Sequence, residues 1–153
     1  MSGQHSRRAR AALAQMTEVD PAIAALALWC GHRDHDAATT TSGDTIYYGP
    51  SFEDHSLPEQ IGLVAQHGRH VAWRHSERQA DMALRLGMSF KPKLYNLASD
   101  AIVNEVLLEG GHALPRPAVR AKEVIDLLPG FDTLATNVLA DWDTDRLYHA
   151  LTK

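Results

Sequence analysis

Residues 94–108 are apolar on nearly every side of a helix, yet Asn96, Asp100 and Asn104 recur through them at every fourth position. Leu94, Leu97, Ala98, Ala101, Ile102, Val103, Val106 and Leu107 leave no face of such a helix for bulk water. The helix must therefore run through the interior. A carboxylate on a buried helix is costly unless it is paired, hydrogen-bonded or bound to a cation. The fold has to supply packing partners around this helix and something polar along its narrow stripe. Asp100 has two readings at this point: a cap or arginine partner, or an oxygen ligand facing another polar cluster. Glu105 lies off the stripe and reads as a surface or salt-bridged residue.

The other polar cluster is Gln66-His67-Gly68-Arg69-His70, with His75 five residues on. At about 100° per residue, with Ile61 at the origin, Val64, Ala65, Gly68, Val71, Ala72 and His75 share one face. Gln66, His70 and His67 fall at about 140°, 180° and 240°, on the opposite face. Leu63 lies among them, so this helix is expected to be covered on both sides. An H-E-x-x-H helix sets two histidines one turn apart on zinc, with a glutamate beside them as general base. Here Gln66 stands at the first histidine, His67 at the glutamate and His70 at the second histidine. His67 and His70 at i,i+3 are compatible with a shared metal and equally with a solvated pair on a polar face. His75, on the core stripe, points away from both and reads as a hydrogen-bonded core histidine.

Around these two segments the chain reads as one domain over residues 1–153, of ordinary size for a single core. Residues 6–16, within an N-terminal helical region 1–19, and residues 21–30 predict helices; Asp20-Pro21 is a cap followed by proline at the first helical position. Residues 37–41 and 45–48 predict a β-hairpin with Gly43 in its turn. Tyr47 and Tyr48 alternate, one toward the core. Ser56, Pro58 and Glu59 open a helix expected to run from about Leu57 to Leu84 or Leu86. Pro115 and Pro117 mark a stiff linker. Helices are expected at 119–128, 133–142 and 145–151. Helix–hairpin–helix–helix order predicts a small α+β domain.

Charge and composition narrow the partners. Fifteen Lys and Arg against nineteen Asp and Glu give a net charge of −4, with no general attraction to nucleic acid or an anionic membrane. The basic run Arg7-Arg8-Arg10 reads as a solvated helix start. A single cysteine, Cys30, excludes an internal disulfide and a cysteine-rich zinc site, and fits a reducing, cytoplasmic setting. The N-terminal segment lacks the apolar region of a signal peptide, and the longest apolar run, 22–30, is too short to span a bilayer.

The hairpin 37–50, the helix start 56–60, the block 64–72 and the block 95–104 (Tyr-Asn-Leu-Ala-Ser-Asp-Ala-Ile-Val-Asn) resemble, in order and spacing, the metallopeptidase-like domain of bacterial proteins that carry a C-terminal VWA-like domain. The final Asp145-Arg146-Leu147-Tyr148 segment agrees as well, so the resemblance covers about residues 20–151. Genes for those proteins often lie beside MoxR-type AAA ATPases. The resemblance implies a zincin-like fold, mainly helical, with a small β-hairpin or sheet packed on the active-site helix. It also implies zinc held by the two histidines of H-E-x-x-H and an aspartate matching Asp100, with the glutamate polarising a zinc-bound water. Carried over, His70 and Asp100 match ligands, Gln66 replaces a ligand histidine and His67 replaces the glutamate. The VWA-like part is not expected within 1–153.

Two functions follow. One is a metallopeptidase-like domain with an altered zinc site, Q-H-x-x-H, built from His67, His70 and Asp100. In it His67 stands in for the base, Gln66, His75, Asn96 and Asn104 support, and hydrolysis of a peptide or protein substrate is weak or lost. The other is an inactive zincin-fold scaffold or binding module, a pseudoenzyme acting with a VWA-domain or AAA-ATPase partner. A cluster in which Gln66 and Asn104 satisfy each other favours the second.

Overall fold

The computed structural model describes residues 6–130 and 138–153. Among these, eight helices surround a three-stranded sheet: α1 (Arg10–Val19), α2 (Pro21–Leu28), β1 (Gly31–Asp34), β2 (Thr40–Ser42), β3 (Thr45–Tyr48), α3 (Leu57–Ala72), α4 (His75–Leu86), α5 (Pro92–Glu109), α6 (Ala121–Asp126), α7 (Val138–Asp141) and α8 (Thr144–Leu151). The architecture is α+β and mainly helical, as the sequence predicts.

The helix starts form for local reasons. Asp20 accepts a hydrogen bond from the Ile23 N–H and places Pro21 at the first position of α2. Ser56 and Glu59 form a reciprocal capping box at the start of α3. Asp143 caps α8 by accepting from the Arg146 N–H at 2.8 Å.

The sheet is ordered β1-β3-β2, with β1 parallel and β2 antiparallel to β3. The hairpin reverses at Gly43, whose φ of +60° suits glycine. Strand β1 is an addition to the hairpin expected from sequence. Its Gly-His-Arg-Asp composition carries no β-former, and its pairing comes from tertiary contact with β3. Tyr48 is the aromatic that faces the core, where Ile46 is also buried.

Helix α5 separates two cores, which is why it is apolar almost all round. Val103 and Leu107 join α1, α2, the sheet and α3 on one side. Tyr95, Ala98, Ala101 and Ile102 join Met82 of α4 and residues of α6, α7 and α8 on the other. Each fully buried large aliphatic side chain contributes roughly 1.5–3 kcal/mol of transfer free energy.

Four expectations are corrected. The helix expected over 57–86 breaks at Trp73 and Arg74, where Arg74 adopts the left-handed conformation (φ 56°) and α4 starts afresh. No glycine or proline marks this break in the sequence. The helix expected over 6–16 starts later, at Arg10, because Ser6 and the Arg7 and Arg8 N–H groups bind the Asp34 carboxylate instead. Arg8 is not part of a solvated helix start: its guanidinium donates to the carbonyls of His35 and Tyr48 at 2.6 and 2.7 Å. The 119–128 helix is shorter, Ala121–Asp126. The 133–142 expectation lies largely outside the described residues, and only Val138–Asp141 of it is helical among them.

Glu105 is salt-bridged but fully buried. It holds the Arg120 guanidinium and accepts from the Lys122 N–H at 2.9 Å, which fixes the start of α6.

Candidate functional site

The polar stripe of α5 and the histidine face of α3 meet. Helix α3 packs its buried Ile61, Gly62, Val64, Ala65 and Gly68 into the first core. This turns Gln66, His67 and His70, all half-buried, toward α5 and β2. The Gln66 side-chain amide donates to Asn104 Oδ1 at 2.5 Å, and Asn104 Nδ2 donates to the Val119 carbonyl at 2.9 Å. Asn104 is 3% exposed, so these bonds satisfy an amide that would otherwise be costly to bury.

His67 and His70 have their rings 6.3 Å apart and make different contacts. His67 Nδ1 lies 2.6 Å from the Thr41 hydroxyl on edge strand β2. Burial, reinforced by His70, lowers the His67 pKa to about 4, so its ring is neutral in neutral solution. His70 Nε2 lies 3.0 Å from Asp100 Oδ1, and the Asp100 side chain is half exposed. Asp100 thus takes a histidine partner, not an arginine. Asn96 is exposed at the rim.

His75 corrects the sequence reading most directly. It does not point away from the cluster. Because α3 stops and Arg74 turns the chain, His75 Nδ1 comes to 2.8 Å from His70 Nδ1, and His75 Nε2 lies 3.0 Å from the Thr144 hydroxyl of α8. Continuous helical geometry could not show this. Burial lowers the His75 pKa to about 3. Thr41 and Thr144 belong to the cluster and carry no signal in the sequence beyond being hydroxyls.

Two cavities open on the cluster. One of 410 Å³ lies between α3, α5 and the 114–118 segment, with Gln66, His67, Asp100 and Asn104 at its polar end and Phe52, Leu63 and Pro115 among its apolar walls. The other, 300 Å³, is bordered by His67, His70, His75, Asp100 and Asn96. Thr39, His67 and Asp100 border both.

A catalytic zinc of the H-E-x-x-H kind does not fit these residues. Gln66 directs its amide nitrogen to Asn104, no carboxylate stands at position 67, and both nitrogens of His70 are already engaged. Among the described residues, no three His, Cys, Asp or Glu side chains converge in a way that could hold a metal ion. What the cluster offers is a set of oriented hydrogen-bond donors and acceptors beside an edge strand.

The chain belongs to the family described as "Putative metallopeptidase domain", whose model matches residues 4–153. No match was found among curated proteins or among solved structures. Among the described residues no helix is long and apolar enough to cross a membrane.

Proposed function

We propose that this metallopeptidase-family chain has lost the catalytic metal centre and acts as a polypeptide-binding module, a pseudoenzyme. The observation that carries this reading is the Gln66–Asn104 amide pair. It occupies the place that the resemblance assigns to the first ligand histidine. His67, in the glutamate's place, is a weak base at a pKa of about 4. Removal of a general base costs about 10²–10⁴-fold in rate. An extended polypeptide would lie along the groove formed by the two cavities, beside β2, whose outer edge pairs with no strand among the described residues. The zincin-like fold, a VWA-domain or MoxR-type ATPase partner and a cytoplasmic setting are part of the proposal. They rest on the resemblance and, for the setting, on one buried free thiol, Cys30.

A second reading keeps an altered cation site at His67, His70 and Asp100, because these three border one cavity. It requires the Thr41–His67 and His70–Asp100 contacts to open. The test is cleavage of an unstructured protein such as casein in the presence of zinc. The pseudoenzyme reading expects binding without turnover. Turnover that a chelator and His70→Ala both abolish would sink it.

A further inference from the structure

We propose that His75 and Thr144 are positioning residues: they hold the His70 ring with its Nε2–H on Asp100 and tie that contact to the seating of α8. This inference rests on the reading of the site as a hydrogen-bonding surface.

The direction follows from the chemistry of the groups. Asp100, His70, His75 and Thr144 form one continuous series of contacts at 3.0, 2.8 and 3.0 Å. A carboxylate only accepts. His70 therefore carries its proton on Nε2, facing Asp100. With the His70 ring neutral, its other nitrogen is then bare, so His70 Nδ1 accepts. Its partner, His75 Nδ1, must carry a proton and donate. His75 Nε2 is then bare and accepts from the Thr144 hydroxyl. One anchor at Asp100 orders every bond in the series, and Thr144 completes it. The unusual member is His75, because a free neutral histidine in water keeps its proton mainly on Nε2. The hydrogen bond made by one ring nitrogen sets the state of the other.

The surroundings keep the series intact. His75 and Thr144 are 5% and 1% exposed, and the Trp73 ring stands edge-on to His75. Thr144 is the first residue of α8. That helix is seated by the Tyr95 hydroxyl, which donates to Asp145 at 3.0 Å, and by the Lys91 N–H, which donates to the Tyr148 hydroxyl at 3.0 Å. At the other end Asp100 borders both cavities, where its half-exposed carboxylate is free to accept from the N–H groups of a polypeptide laid in the groove. Displacement of α8 removes the last donor and loosens the order at Asp100. The state of α8 is thereby felt in the groove.

Long-range proton–nitrogen NMR of the imidazoles tests this on metal-free protein, comparing wild type, Thr144→Val and Thr144→Ser. In wild type at alkaline pH, with both imidazoles neutral, the His75 proton is expected on Nδ1 and the His70 proton on Nε2. Thr144→Val keeps the shape without the hydroxyl, and the Nδ1–H share of His75 should fall. Thr144→Ser should restore it. A wild-type His75 proton on Nε2 would overturn the proposal, and this result needs no variant. So would a Thr144→Val protein, shown folded by its amide spectrum, with an unchanged tautomer ratio. Casein turnover by wild type would overturn the functional reading while leaving these tautomers where they are.

Discussion

Gly62 and Gly68 lie on the same helix, and replacing each by alanine should move stability in opposite directions. Glycine in a helix interior is ordinarily about 1 kcal/mol worse than alanine. A Cβ at Gly68 meets no atom within 4 Å, so Gly68→Ala should stabilise the fold by about 1 kcal/mol. A Cβ at Gly62 would stand 1.7 Å from the Ala113 carbonyl oxygen, 2.9 Å from its carbon and 3.2 Å from Leu114 Cδ2. A carbon–oxygen contact relaxes at about 3.3 Å, so the 113–114 backbone would have to retreat by about 1.6 Å. That backbone carries the buried Leu114, and the proline-rich segment after it walls the larger cavity. Overpacking of this kind costs about 1–3 kcal/mol, and the obstacle is backbone, which cannot rotate aside. A backbone obstacle puts the cost at the upper end of that range, so, set against the propensity gain, Gly62→Ala should destabilise by about 2 kcal/mol. Urea unfolding followed by far-UV circular dichroism measures both. A Gly62→Ala protein at least as stable as wild type would refute the contact between α3 and the 113–114 backbone, and with it the placement of the cavity wall.

Arg120→Met should cost about 2–3 kcal/mol in the same assay, less than a fully buried pair because Arg120 is 35% exposed; it strands the fully buried Glu105 carboxylate with one remaining backbone donor. Burial holds His32 below its ordinary pKa of 6.5, as it holds His67 at about 4 and His75 at about 3. The unfolded chain takes up these protons first, so stability should be full above about pH 7 and fall as pH drops through 6.5 toward 3. Thermal midpoints that stay flat between about pH 7.5 and pH 5 would contradict this. Arg74→Gly should raise stability by about 0.5–1 kcal/mol, since glycine takes the left-handed conformation freely and the Arg74–Glu77 pair it removes is exposed. A lower unfolding midpoint would show that Arg74 does more than turn the chain.

The parts of this fold legible in the sequence are those that local rules decide. Asp20-Pro21 and Ser56-Leu57-Pro58-Glu59 place their helix starts because a cap and an early proline act within one turn. The apolar surround of 94–108 requires burial wherever the helix lies, and α5 indeed runs between two cores. The stripe on α5 gave Asp100 and Asn104 polar company, but not which company. What escaped was decided by tertiary contact. Strand β1 exists because β3 offers it a ladder, not because Gly-His-Arg-Asp favours extension. The break at Arg74 has no local marker, so helical periodicity sent His75 to the wrong side. Thr144 meets His75 across 69 residues, a pairing that no spacing rule reaches.

Metal content tests the central claim most directly. Wild type and His70→Ala would be purified with zinc present, dialysed and subjected to elemental analysis. The account predicts no stoichiometric zinc in either protein and a circular dichroism spectrum unchanged by a chelator. About one equivalent of zinc in wild type, lost in His70→Ala, would contradict it and restore the metallopeptidase reading of the site.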